Sequence, residues 1–369
     1  MNEYDISLAF EEIEMELIKR LKKQMVKYIQ NGSGEITTRD WNRWQVECLK
    51  ALEQFKRENK KWFEKEYTKI NKEIETMLKE EYNSGFIQEE KRVLQAIQQG
   101  AKLERKGHFF GVDSRKLNSL LFETKNLMLE REHSILRNLD DIYRKTIFSS
   151  QVYFQSGAGT LWDAVDMATG KFMSNGITTI QYKNGANVNI ASYSEMTLRT
   201  ANLRAKNYGE GDLRDEWGTH LVLVSEYGAC SETCLPWQGR VYLDDVYSTP
   251  IKEEYNQGYD LLSVAIGEGL YHPNCRHSHT TYYEGISEKK ELDKSTREIS
   301  ETYKQEQIQR YNERQIRKYK KQAALALTDK AKEKYNDKVK EWQGTQRQHI
   351  KEHKDMLRRD YAREKVRVK

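Results

Sequence analysis

Apolar residues recur at helical steps through most of this chain. Phe10, Ile13, Leu17, Leu21, Met25 and Ile29 are spaced by three and four, which predicts an amphipathic helix over residues 5–30. Asn31-Gly32-Ser33-Gly34 ends it. Thr38 or Asp40 then caps a second helix that runs to about Tyr82, dense in Lys and Glu at i, i+4 spacing. Asn83-Ser84-Gly85 predicts a break, 88–99 a third helix ending at Gly100, and Asp113 or Ser114 the start of a fourth that continues to about Phe148. Gly107 and Gly111 bracket His108-Phe109-Phe110 as a loop. The apolar stripes of these helices are packing faces, turned to the chain's own core or to a partner subunit.

The pattern changes near residue 150. Thr160 caps a short helix, LWDAVDMA, which Gly170 stops. Two alternating, β-rich runs then flank Asn184-Gly185, a hairpin signal because both turn positions need positive φ. Residues 193–208 predict a helix capped by Ser194. Residues 220–227 (HLVLVSEY) predict a buried strand, Pro236-Trp237-Gln238-Gly239 a turn, and Arg240–Leu243 a further short strand. In the tail, Tyr303, Ile308, Tyr311 and Tyr319 mark one sparse helical face. Thr328-Asp329 restarts a helix with Ala331, Tyr335, Val339 and Trp342 on one side, and Gly344 weakens or ends it.

Glycine usage supports the same division. Fourteen of the 21 glycines fall within residues 151–285 and one lies beyond them, and helices exclude glycine where turns need it. The expected fold is therefore α+β: a long helical N-terminal arm (1–150), a central mixed α/β domain (151–285) and a charged helical tail (286–369). Charged residues make up 32% of the 369, which fits long solvated helices, and 22 tyrosines argue against a disordered chain. The net charge of +5 is uneven. The tail holds 25 Lys and Arg against 15 Asp and Glu, which suggests an anionic partner such as nonspecifically bound nucleic acid, although the interspersed acids make a solvated helix surface a strong alternative. No run of apolar residues is long enough to span a membrane, and the acidic, amphipathic N-terminus is unlike a signal peptide.

Chemistry concentrates between Glu226 and His279. This stretch holds Cys230, Cys234 and Cys275, three histidines (His272, His277, His279) and all three prolines. Cys230 and Cys234 form one closely spaced pair, His272 and Cys275 another, and two such pairs can close a tetrahedron around Zn²⁺. The expected ligand set is Cys230, Cys234, His272 and Cys275. His277 is the reserve, either replacing His272 or supporting a ligand from behind. Buried, unliganded side chains are the plain alternative, and a Cys230–Cys234 disulfide another; so sparse a cysteine set favours a reducing compartment. Cys48 stands alone in a helical pattern and is expected to pack as a small apolar residue.

Arg199 and Thr200 form a weak anion-binding pair, with Arg199 more simply pairing Glu195 one turn back. Asp244-Asp245 reads as an exposed turn before it reads as a divalent-metal site. No P-loop, G-x-G-x-x-G, G-x-S-x-G or deaminase signature is present, and no catalytic residue is assigned.

YSEMTLRTA (193–201), HLVLVSEYGACSETCLPWQGRVY (220–242), GLYHPNCRHSH (269–279) and the tail's EWQ (341–343) and LRRDYAREK (357–365) together resemble the minor capsid protein 2 family of tailed phages, related to the head-morphogenesis proteins of the phage Mu F type. The resemblance implies a non-enzymatic structural protein of the virion, in a multi-subunit assembly with portal and capsid proteins at the portal vertex or head interior, and in the host cytoplasm during assembly. It implies a role in head assembly or DNA delivery. Many Mu F-like relatives end the second pair as Cys-Arg-Cys, where this chain has Cys275-Arg276-His277, so the role of His277 stays open. Some relatives carry a toxin domain behind this module, and here only a charged tail is expected. A zinc-supported nuclease or an ADP-ribosyl- or nucleotidyl-transferase is the alternative, with His272 and His277 beside the metal and Glu195, Arg199 and Thr200 as anion-binding or catalytic groups.

Overall fold

The computed structural model describes residues 3–28, 38–105, 114–155, 160–175, 179–181, 187–289 and 292–366. The turns at 31–34, 108–110 and 184–185 and the position of Asp113 lie outside them. The described chain is mostly helical with a small mixed sheet, an α+β fold. Its helices are α1 (Glu3–Val26), α2 (Thr38–Gln98), α3 (Ser114–Gln155), α4 (Leu161–Asn175), α5 (Ile190–Trp217), α6 (Leu262–Gly267), α7 (Thr296–Ala324) and α8 (Asp329–Glu352). The strands are β1 (Thr179–Gln181), β2 (Asn187–Asn189), β3 (Leu221–Val224), β4 (Val241–Leu243), β5 (Asp260–Leu261) and β6 (His279–Thr281). β1 and β2 pair antiparallel around the expected hairpin turn.

The chain resolves into two compact units, each discontinuous in sequence. One gathers 72–126 and 196–306, the other 2–71, 127–195 and 307–369. The boundaries expected at 150 and 285 were drawn along the chain, whereas these are drawn in space, and α2, α3, α5 and α7 contribute residues to both units.

In the unit that holds both termini, α1 and α4 pack together, and Phe10, Leu17, Leu21, Ala164 and Val165 on these helices are buried. Trp41 and Trp44 lie 4.6 Å apart, and the Trp44 indole donates to the Met25 carbonyl at 2.7 Å. Cys48 is fully buried, as expected, with its backbone carbonyl accepting from the Tyr143 hydroxyl at 2.9 Å. Burial pushes its thiol pKa up to about 12. Lys22 and Asp166 form a buried ion pair. The Lys22 ammonium also donates to the Leu325 carbonyl at 2.7 Å, and Asp166 accepts from the Leu327 amide at 2.7 Å, so one pair joins α1, α4 and the α7–α8 link.

Several expected breaks are absent, and each has a local cause. Asn83-Ser84-Gly85 does not interrupt α2. A Cβ on Gly85 would overlap the Lys206 carbonyl, and one on Gly209 the Tyr82 carbonyl, so the two glycines let α2 and α5 cross backbone to backbone. Gly170 does not stop α4: it faces the Tyr335 hydroxyl, and its carbonyl accepts from Gln322 at 2.8 Å. Gly344 lies within α8. α5 starts earlier and ends later than 193–208. Its cap is Asn189, whose Oδ1 accepts from the Ala191 amide at 2.8 Å, while Ser194 is buried within the helix. The expected cap Thr160 does accept, from the Asp163 amide (3.1 Å), and Thr328, where the tail helix was expected to restart, accepts from the Ala331 amide (3.3 Å).

In the other unit the four-stranded sheet has the order β5-β4-β3-β6, with β3 antiparallel to both neighbours and β4 parallel to β5. β3 is shorter than the eight residues expected. Its buried positions Val222 and Val224 join Tyr242, Leu262, Ala265 and Leu270 in one core. Asp244 is a correction to the sequence reading, since it is buried rather than exposed. It pairs with the equally buried Arg214 at 2.6 Å and accepts the Tyr247 amide at 2.9 Å. Asp245 instead accepts from the Ser263 amide at 2.9 Å at the start of α6.

Candidate metal centre

The sheet register builds this site. Val224 of β3 stands opposite His279 of β6, and the Ser225 amide donates to the Ser278 carbonyl at 2.8 Å. The chain leaving β3 therefore runs beside the chain entering β6, and the two cysteine-bearing segments meet. Each segment then turns tightly. The Cys234 amide donates to the Ser231 carbonyl at 3.1 Å, and the Cys275 amide to the His272 carbonyl at 2.8 Å. The second turn is His272-Pro273-Asn274-Cys275. Asn274 has φ +70°, the left-handed conformation that a type II turn needs after proline and that asparagine tolerates.

Cys234, Cys275 and His277 are buried, and their ligand atoms lie within 4.8 Å of one another. The Cys234 and Cys275 sulfurs are 3.5 Å apart, and Cys275 Sγ is 3.2 Å from His277 Nδ1. Two thiolates on one tetrahedral zinc, each at about 2.3 Å, stand about 3.8 Å apart, whereas a disulfide needs about 2.05 Å. The donor set is soft, buried and drawn from two rigid turns, which fits zinc.

His277 turns its other face to Gln238. Its Nε2 is 2.9 Å from Gln238 Oε1, and the same oxygen accepts the Tyr227 amide at 2.9 Å. An acceptor at Nε2 puts the ring proton there and leaves the Nδ1 lone pair for a metal. The sequence placed Gln238 in a turn and assigned it nothing chemical. The one signal available was its position in that turn, four residues after Cys234.

Of the five residues expected to ligate, three converge directly. Cys230 is buried in the same apolar cluster, with Cys234, Cys275 and Ile299, and burial pushes its thiol pKa up to about 11. His272 borders Cys234. Its Nε2 lies 2.8 Å from Ser231 Oγ and its Nδ1 2.8 Å from the Pro273 carbonyl, and contact with the Cys234 sulfur raises its pKa. Cys234 is drawn well below the ordinary thiol range by a hydrogen bond from Cys275, with His272 and His277 adding to the effect against burial. Cys275 is correspondingly raised. One thiolate against one thiol is the charge state that two adjacent cysteines reach without an ion.

The weak anion pair is otherwise engaged. Arg199 meets Asn274 Oδ1 at 3.3 Å, and the Thr200 hydroxyl donates to the Met196 carbonyl at 3.0 Å. Glu195 pairs with Arg363 at 3.2 Å. No described helix is long and apolar enough to cross a membrane.

The model of the family described as phage minor capsid protein 2 matches residues 3–351 of this chain. The chain belongs to that family. The match reaches into both compact units and takes in the whole cysteine–histidine site. Searches of the curated proteins and of the solved structures gave no significant match. Membership of a phage capsid family makes this a structural virion protein that assembles with other virion proteins.

Proposed function

We propose that this minor capsid protein sits at the portal vertex or on the inner face of the head, contacts portal and capsid subunits through its long helices, and acts in head assembly or DNA delivery. The observation that supports the reading is the family match from residue 3 to residue 351, which includes the helical segments as well as the site. Exposed apolar side chains on α2 and α3, among them Val46, Leu49, Phe122 and Phe148, give those helices surface suited to burial in an assembly. Cross-linking mass spectrometry on intact particles tests it. Cross-links from α2 or α3 to portal or inner capsid subunits are expected, and cross-links confined to tail proteins overturn the location.

Within this reading the unit around β3 and β6 is pinned by one structural zinc. Cys234, Cys275 and His277 hold it, and Cys230 or His272 supplies the fourth ligand. Four protein ligands leave no position for a reacting water, so the metal would stabilise and not catalyse. Elemental analysis of protein purified under reducing conditions tests this, with about one zinc per chain expected and loss of the metal in Cys234→Ser and Cys275→Ser. Metal-free wild-type protein overturns it.

The tail engages packaged DNA only weakly in this reading, because many of its cations are spent internally. Lys321 pairs with Glu11 and Glu14 at 3.3 and 3.2 Å, and Arg359 clamps Glu364 through two contacts of 2.7 and 2.8 Å.

A further inference from the structure

A cavity of about 300 Å³ opens in the same unit as the metal cluster, between α5, the loop after β4, α6 and the turn that carries Cys275. Tyr208, Tyr247 and Tyr271, with Leu203, Val246 and Ile266, form its aromatic and aliphatic side, and His272 and Cys275 of the candidate metal centre complete the lining. The Tyr271 hydroxyl accepts from His279 Nδ1 at 2.8 Å, and Tyr208 packs edge-on against Tyr247 at 5.2 Å, so the rings are fixed in place. Thr200, named above as a weak anion residue, forms part of the rim together with Arg204.

Charge decides what fits. Arg204 is the one lysine or arginine in the lining, which contains no carboxylate; its other titratable groups besides the tyrosines are His272 and Cys275. It pairs with Glu123 at 3.8 Å, with both side chains about half exposed (46% and 59%). A pair so long and so wet is worth little, and a guanidinium has five donors to offer. Lys116, near Tyr208, is already shared between Asp212 at 3.7 Å and the Tyr247 carbonyl at 3.1 Å. Size decides the rest. About 300 Å³ is the lower limit of ligand pockets, room for a side chain or two but not for a nucleotide.

We propose that this cavity receives a segment of another virion protein, a bulky apolar side chain entering between the tyrosines and an adjacent carboxylate pairing with Arg204. The proposal rests on membership of a virion assembly and not on the zinc or on location at the portal, so it stands or falls separately from those.

The test uses the full chain with ¹³C-labelled isoleucine methyl groups and reads the Ile266 methyl resonance. The probes are N-acetyl-Phe-Asp-amide and its neutral isostere N-acetyl-Phe-Asn-amide. The acidic peptide is expected to shift Ile266 saturably, the neutral one to bind up to about fivefold more weakly, the order of one exposed charge pair. Arg204→Gln, at a half-exposed position, is expected to erase the difference while leaving the melting temperature unchanged. No shift with either peptide overturns the site, and equal affinities overturn the role of Arg204. A shift that follows protein concentration without peptide identifies a second copy of this chain as the occupant and overturns the proposal of a different partner.

Discussion

Gln238 Oε1 accepts from His277 Nε2 at 2.9 Å and holds the imidazole with Nδ1 facing the Cys275 sulfur. Groups in this position set ligand orientation, and removing one typically costs 10–100-fold in metal affinity. Gln238→Ala is therefore expected to keep its zinc at saturation but to release it to a competing chelator at about 10–100-fold lower chelator strength. A competition titration with a zinc-sensitive dye reads this directly. Unchanged affinity would remove Gln238 from the site.

Metal removal is expected to lower the melting temperature of the whole chain. The cluster links the turns after β3 and before β6, which without an ion are joined by the sulfur–sulfur contact at 3.5 Å and by the Ser231–His272 and Gln238–His277 hydrogen bonds of 2.8 and 2.9 Å. Each kcal/mol lost corresponds to about 2–4 °C for a unit of this size. Calorimetry with and without a strong chelator checks it. An unchanged transition would mean that the cluster is held by packing alone.

Gly209 and Gly344 are expected to respond to alanine with opposite signs. At Gly209 a Cβ would overlap the Tyr82 carbonyl where α2 and α5 cross, so Gly209→Ala should destabilise by about 1–3 kcal/mol or more. At Gly344, inside α8, the nearest atom to a Cβ is Arg347 Nη2 at 3.8 Å, and Gly344→Ala should stabilise by about 0.5–1 kcal/mol. Urea unfolding of the two variants separates a packing role from mere tolerance, and a neutral Gly209→Ala would sink the close-crossing argument.

These glycines also show where the sequence stopped being legible. Helical periodicity placed α1, α2, α3, α7 and α8, and local chemistry placed the cap at Thr160 and the restart at Thr328, because those signals lie within a few residues of what they specify. Gly85, Gly170, Gly209 and Gly344 carry the same local signal as a true break. For Gly85, Gly170 and Gly209 the neighbour across the gap explains why a glycine sits inside a helix, and that neighbour is up to 165 residues away; Gly344 has no such neighbour and is merely tolerated. Asp244 misled for the same reason: its partner Arg214 lies on another element. At the site, spacing put Cys234 and Cys275 in one candidate set with Cys230 and His272, and kept His277 in reserve; the structure brings Cys234, Cys275 and His277 together. The strand register that brings them together and the acceptor Gln238 were not visible along the chain.

Arg214 and Asp244 are both fully buried and 2.6 Å apart, with Glu210 3.7 Å from the same guanidinium. Removing one partner leaves an uncompensated charge in the interior, at a cost of about 3–5 kcal/mol. Asp244→Asn is expected to show that loss in chemical denaturation, while Asp245→Asn, near the surface at the start of α6, changes stability by about 1 kcal/mol or less. Equal effects would place both aspartates in the same environment, against the structure.

The same buried network gives the protein a sensitivity to acid. His279 receives a hydrogen bond from Arg214 at Nε2 (3.3 Å), and an arginine can only donate, so Nε2 must accept and the ring must be neutral, with its Nδ1 proton directed to the Tyr271 hydroxyl. Burial, reinforced by the Arg214 charge, lowers the His279 pKa from 6.5 to about 3. The unfolded chain therefore takes up a proton below pH 6.5 that the folded chain refuses. This contribution is complete above pH 6.5 and is lost as pH falls from there toward 3, at up to about 1.4 kcal/mol per pH unit. His220 acts in the opposite direction: despite burial, Asp215 and Glu254 raise its pKa, so its contribution is present below 6.5 and lost as pH rises. Comparing wild type with His279→Gln isolates the first effect. Urea unfolding at pH 7.5, 6.5 and 5.5 should show wild-type stability falling more steeply with acid than that of the variant, and parallel slopes would mean that His279 takes up its proton in the folded state.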